Sequence, residues 1–275
     1  GSRPDAKPSD VIAALERGCS AGDAVSCTWL GERVAAGVGV KADPTRSAQL
    51  FGAGCRKGVT SACRLLAVQL TAGVGVKPDP AAAVALLEPA CEVGDLDACA
   101  ELALRYELAA GVARDDKRMV ALYRRACAGG VVHACSRLAM ASVVGAGMPA
   151  DPKGGAAQLQ LGCDLKDAWA CGALASILVQ GAKDVPRDVT RALALLEAAC
   201  AGGDKDGCGQ LGVALAQGLS PTPDLPRALQ LISSACQAGR QASCGDLGQM
   251  YLLGLGTDPD PSRGAGLLDR ACRAG

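Results

Sequence analysis

The sequence predicts an all-α protein, an α/α solenoid of about seven helix-pair repeats. Three observations predict it. Fifteen cysteines fall in a fixed rhythm, an Asp recurs 12 residues before each later first-of-pair Cys, and a Leu plus a small residue follow each second Cys. A constant period of roughly 20–50 residues marks units that bury their apolar faces only against their neighbours.

The cysteines stand at 19, 27, 55, 63, 91, 99, 127, 135, 163, 171, 200, 208, 236, 244 and 272, with a gap of 8 inside each pair. The step between pairs is 36, except for 37 from Cys163 to Cys200. The recurring acids are Asp43, Asp79, Asp115, Asp151, Asp188, Asp224 and Asp260, and Pro follows at 44, 80, 152 and 261. Asp then Pro starts a helix, because the carboxylate accepts from free backbone N–H groups and Pro suits the first helical position. Apolar residues at helical spacing follow, as in Ala192, Leu195, Leu196 and Ala199. This helix, termed B, ends at the Cys. A Gly three residues on (58, 94, 130, 203, 239) suits its stop, and Lys166 breaks that pattern.

Helix A comes next and carries the second Cys, then Leu30, Leu66, Leu102, Leu138, Leu174, Leu211 and Leu247. The residue after each Leu is Gly or Ala, which lets two helix backbones approach closely. Gly-rich turns such as Gly37-Val38-Gly39-Val40 end helix A. The extra residue of the fifth repeat is placed in the turn around Lys183–Arg187, since loops absorb insertions.

The reading gives a tag scar and N-terminal linker over 1–9 and a single repeat solenoid over 10–275. A leading B helix spans 10–19. The A/B repeats span about 23–58, 59–94, 95–130, 131–166, 167–203, 204–239 and 240–275. Gly1-Ser2 is read as an expression scar, with a signal sequence removed upstream.

Lys+Arg and Asp+Glu both number 28, and a balanced charge argues against a nucleic-acid partner. No apolar run is long enough to span a membrane. Only 6 residues are aromatic (2 Trp, 3 Tyr, 1 Phe), so the core is thin.

The succession C-x-x-L-G, G-x-G-V, D-P and A-x-x-L-L-x-x-A-C-x-x-G resembles the Sel1-like repeat, a relative of the tetratricopeptide repeat. The paired cysteines are similar to those of cysteine-rich Sel1-like proteins of Helicobacter. The resemblance implies a right-handed superhelix stapled by disulfides. The chain departs from the family where aromatics are usual, placing Val34, Leu70, Leu178 and Leu215 late in helix A, and Leu50, Leu86 and Leu195 in helix B. Tyr106, Tyr251, Phe51 and Tyr123 are exceptions.

Two disulfide connectivities are open. Residues i and i+8 of one straight helix stand about 12 Å apart, beyond disulfide reach of about 4.4–6.8 Å. Cys19 therefore meets Cys27 only if the chain reverses between them, as Gly22-Asp23 allows. Cys27 could instead meet Cys55 at the other end of the hairpin. The shorter ring closes more readily, and the resemblance implies the same local pairing. That gives Cys19–Cys27, Cys55–Cys63, Cys91–Cys99, Cys127–Cys135, Cys163–Cys171, Cys200–Cys208 and Cys236–Cys244, with Cys272 unpaired. Each ring stabilises by about 2–3 kcal/mol in the chain-entropy picture. Seven such terms exceed the roughly 5–15 kcal/mol of a typical domain, so they act locally, each holding one hairpin to the next. Zinc sites favour closer cysteines and histidines, and His133 is the single His. No metal or cofactor is expected. Evenly spaced disulfides point to a periplasmic or secreted protein.

The cysteine-rich relatives imply an alternative function, penicillin binding or weak β-lactam hydrolysis on cell-wall-type substrates. No Ser has Lys three residues later, H-E-x-x-H is absent, and so is a phosphate loop. No catalytic residue is assigned and an enzyme is not expected.

By analogy with tetratricopeptide superhelices, the A helices line a concave groove, at positions 6, 9, 13, 16 and 17 after each B-helix Cys. The candidates are Glu32, Arg64, Glu107, His133, Met140, Trp169, Gln180, Gln217 and Gln249. The surface is small, apolar and nearly uncharged, which suits an extended protein or peptide partner. Trp169 is the natural anchor. Trp29 falls one position off this frame and is read as core. Arg114, Lys117, Arg118, Arg124 and Arg125 on the third full B helix are read as a solvated face. A monomer is expected, with Cys272 offering a route to a dimer.

Overall fold

A computed structural model describes residues 7–220 and 224–274. Fifteen helices alternate as expected among them. The leading B helix is α1 (Pro8–Ser20). The A helices are α2 (Ala24–Ala36), α4 (Thr60–Ala72), α6 (Leu96–Leu108), α8 (Val132–Val144), α10 (Ala168–Gln180), α12 (Lys205–Ala216) and α14 (Gln241–Leu253). The other B helices are α3 (Pro44–Arg56), α5 (Pro80–Glu92), α7 (Asp116–Ala128), α9 (Pro152–Asp164), α11 (Val189–Ala201), α13 (Leu225–Gln237) and α15 (Pro261–Ala274). The described residues hold no β-strand, only an isolated bridge between Ala182 and Val185. Helix α1 opens at Pro8, two residues ahead of the sequence estimate, because Pro supplies a ready first-turn φ. Residues 1–6 of the tag scar and linker lie outside the described residues.

The capping chemistry is uniform. All seven recurring Asp side chains accept from the backbone N–H three residues on, at 2.9–3.0 Å. A second set, Asp23, Asp95 and Asp204, caps A helices the same way. Each satisfies donors that a helix start leaves orphaned. Between B and A the chain turns through a residue of positive φ. This is Gly22, Gly58, Gly94, Gly130, Gly203 or Gly239, and in the fifth repeat it is Lys166 at φ 69°.

The reversal brings the cysteines together. Six bridges, 19–27, 55–63, 91–99, 163–171, 200–208 and 236–244, have Cα–Cα distances of 4.4–4.7 Å. Cys127 and Cys135 are disulfide-bonded too. Cys272 is free and exposed. Disulfides thus staple consecutive repeats.

The chain forms two compact units, Gly1–Val131 and Val132–Gly275. In the first, Leu30 and Val34 pack on Ile12, and Phe51, Leu87, Leu102, Tyr106 and Tyr123 are buried. In the second, Leu159, Leu174, Leu178, Leu196, Leu211, Ile232 and Leu247 form one continuous core. Where the small residue after the helix-A Leu is Gly, it faces the following B helix. A Cβ on Gly31 would meet the Phe51 ring at 2.7 Å, and one on Gly212 would meet Ile232 at 2.6 Å and the Ala228 carbonyl at 3.0 Å. Seven residues, 181–187, separate α10 from Asp188, where six, 37–42, separate α2 from Asp43. The extra residue is absorbed in the turn that holds Asp184 at φ 60°.

Candidate functional site

Three of the nine candidate residues lie in the first unit. Glu32 is exposed on α2 and lines a hollow of about 540 Å³ with Trp29, Arg33, Val11 and Leu15. Trp29 is 57% exposed, which overturns its reading as core. Ten residues after the B-helix Cys, the A helix faces neighbouring A helices: Gln210 meets Ser176 of the preceding one, and Arg137 meets Trp169 of the following one. No A helix precedes α2 among the described residues, so the indole is uncovered. Arg64 is half-buried on α4, and its Nε is buried with no hydrogen-bond partner. Glu107 accepts from the Tyr123 hydroxyl at 2.6 Å, so part of its capacity is spent holding α6 to α7.

Six candidates lie in the second unit. His133 and Trp169 come together, with ring centroids 5.6 Å apart in an edge-on arrangement. The Arg137 guanidinium lies 3.9 Å above the indole centre, a cation–π contact that covers one ring face. Arg137 Nε donates to His133 Nε2 at 3.2 Å, and His133 Nδ1 lies 3.3 Å from the Asp167 carboxylate. This network assigns the neutral imidazole proton to Nδ1. Burial pushes the Asp167 carboxyl up, but hydrogen bonds from His133 and Ser136 outweigh it and hold the carboxyl below its ordinary range. Trp169 and Met140 are half-buried against the core.

Gln180 and Gln217 line a hollow of about 420 Å³ whose walls come from three successive A helices, α10, α12 and α14. Gln217 and Gln249 share an adjoining hollow of about 100 Å³ between α12 and α14. Ser176 donates to Gln210 Oε1 at 2.8 Å across α10 and α12. Asp206 pairs with Arg240 at 3.2 Å. Asp246 lines both hollows, and burial pushes its carboxyl up.

Three residues of this surface, Arg137, Gln210 and Asp246, stand ten positions after their B-helix Cys, a place the sequence frame left out. Position 10 lies four residues beyond position 6 and three before position 13. The 3.6-residue period therefore puts it on the same face, and that arithmetic would have found it.

The basic group on α7 is less free than its sequence suggests. Arg114 binds Asp116 at 2.7 Å, Arg118 binds Glu88 at 3.1 Å, and Arg125 points its guanidinium at Cys91 Sγ, 3.8 Å away.

The comparisons agree with this architecture. The Sel1 repeat matches the chain seven times, at residues 24–59, 60–95, 96–131, 132–164, 170–204, 206–239 and 241–275. The chain belongs to the Sel1 repeat family, and its disulfides suit the cysteine-rich branch noted above. Such repeats build scaffolds that generally mediate protein–protein interaction and are typically not enzymes. Among solved structures, a Sel1 repeat protein from Oxalobacter formigenes is 24% identical, with TM-score 0.59, over 99% of this chain and 80% of that one. A protective antigen of uropathogenic Escherichia coli with an SLR fold is 20% identical, with TM-score 0.56, over 96% of this chain. The chain spans 64% of that antigen's length. A Sel1 repeat protein from Klebsiella pneumoniae is 22% identical, with TM-score 0.51, over 74% of this chain and 98% of that one. No curated protein matches. At these identities the likeness concerns the fold.

Proposed function

We propose that the protein is an exported scaffold that binds a protein or peptide along its A helices, in an adaptor or neutralising role. The observation that carries this is the hollow spanning α10, α12 and α14, lined by Gln180, Gln210 and Gln217. Successive A helices lie side by side, as α10 does with α8 and with α12. Successive B helices are instead linked by long side chains, Glu16 to Arg46 at 2.7 Å and Glu197 to Arg227 at 2.6 Å. Within the second unit the A helices thus lie closer to one another than the B helices do. The disulfides support export, since such bonds persist in oxidising compartments, here the periplasm or beyond. The monomer is the proposed binding form.

The test is affinity capture from periplasm or culture supernatant with wild-type protein and the Trp169→Ala and Arg64→Ala variants. A specific partner lost with either substitution supports the groove. A partner retained by both variants contradicts it.

A further inference from the structure

Asp246 stands apart from the other acids of the second unit. It lies in the middle of α14, where a carboxylate caps nothing. The residues three and four away on the same helix are Ala242, Ser243, Gln249 and Met250, none of them cationic. Neither hollow that it lines contains a Lys or an Arg. The nearby cation, Arg240, is engaged by Asp206 at 3.2 Å. Asp206 is thereby neutralised, while Asp246 leaves the hollow with one uncompensated negative charge. Burial disfavours that charge. A half-buried carboxylate without a partner is costly to keep, and such groups concentrate where a ligand completes them.

The surroundings specify what would complete it. The side-chain amides of Gln180, Gln217 and Gln249 have no hydrogen-bond partner among the described residues, and they line the same two hollows. Their amide oxygens add acceptors around the carboxylate. The larger hollow, at about 420 Å³, falls in the size range of ligand clefts. A divalent cation needs several hard oxygen charges, and one free carboxylate is too few. An ammonium is strongly hydrated and gives up its water reluctantly. A guanidinium is weakly hydrated and presents a planar fork of donors that matches one carboxylate and neighbouring amide oxygens.

We infer that this hollow is an arginine subsite: the Asp246 carboxylate takes the guanidinium of an extended peptide docked across α10, α12 and α14. The inference rests on the peptide-scaffold reading above and adds the chemistry of the occupant.

The test selects peptides from a random dodecapeptide library on the immobilised full chain. Selected sequences are expected to share an Arg. Replacing that Arg by citrulline, which keeps the shape and removes the charge, weakens binding to the wild type by about tenfold or more. The same replacement changes binding to the Asp246→Asn variant by no more than about twofold, since the coupled charge is gone. Circular dichroism and Tm show that the variant is folded. Selected peptides that carry Lys or no basic residue would overturn the subsite while leaving the scaffold. So would a citrulline effect of equal size in both proteins. A library that yields no binding sequence would overturn the scaffold reading itself.

Discussion

Arg227 reaches back thirty residues to place its Nη2 2.6 Å from Glu197 Oε2, joining α13 to α11. The same spacing joins Glu16 to Arg46 and Glu88 to Arg118, and Gln160 accepts from Arg191 in the fifth repeat. Where the earlier position holds Gly52, the later one holds Ala82. The ladder is exposed, so screening keeps each rung weak. A double-mutant cycle of Glu197→Ala and Arg227→Ala is expected to give a coupling of about 0.3–1 kcal/mol in denaturant unfolding, falling in high salt.

Lys166 adopts a left-handed conformation that six other repeats assign to Gly. A side chain there costs about 1 kcal/mol or more, partly offset by the greater freedom of Gly in the unfolded chain. Lys166→Gly is expected to raise Tm. An equal or lower Tm would show that the Lys side chain contributes more than the strain removes.

Gly212 lies against Ile232 and the Ala228 carbonyl, with no room for a Cβ. Gly212→Val is expected to destabilise by about 1–3 kcal/mol, read as a shift in denaturant midpoint with the disulfides intact. Gly58 has nothing within 4 Å of a Cβ, so Gly58→Ala carries only the strain of its positive φ.

Cys55 and Cys63 are both partly exposed, as are the disulfide-bonded Cys127 and Cys135, whereas Cys91–Cys99 is buried at both ends. Thiol exchange requires access to sulfur. Graded reduction followed by alkylation and peptide mass spectrometry is expected to open Cys55–Cys63 and free Cys127 and Cys135 early, and to open Cys91–Cys99 late.

Two carboxylates give opposite pH signatures. Asp167 is held below its ordinary range, so it protonates more readily when unfolded. Its contribution to stability is present above the unfolded carboxylate value and is lost as pH falls through the folded one. Asp246 is raised, so its contribution is greatest in acid and is lost as pH rises through the folded value. Asp246→Asn is expected to raise Tm at neutral pH and to leave it nearly unchanged below the ordinary carboxylate range. Asp167→Asn is expected to lower Tm at neutral pH.

Much of the fold was legible because one signal, the 36-residue step, fixed helix, turn and cap together. The Asp caps and the Leu-small pairs followed from local chemistry alone, and Lys166 announced its own strain by standing where Gly recurs. The Arg–Glu ladder was not legible, since it depends on which B helices become neighbours. Trp29 was misread because helical spacing identifies a face but not what covers it. Asp246 went unnoticed for a different reason: its significance lies in a missing partner, and only the packed structure shows that Arg240 is already engaged.

The most direct measurement is photo-crosslinking to the captured partner from a benzophenone side chain at Gln217, on the A-helix hollow, compared with one at Glu197, on the B-helix ladder. Crosslinks from position 217 and none from 197 are predicted. Crosslinks from 197 with none from 217 would put the partner on the opposite side of the repeats and contradict the account.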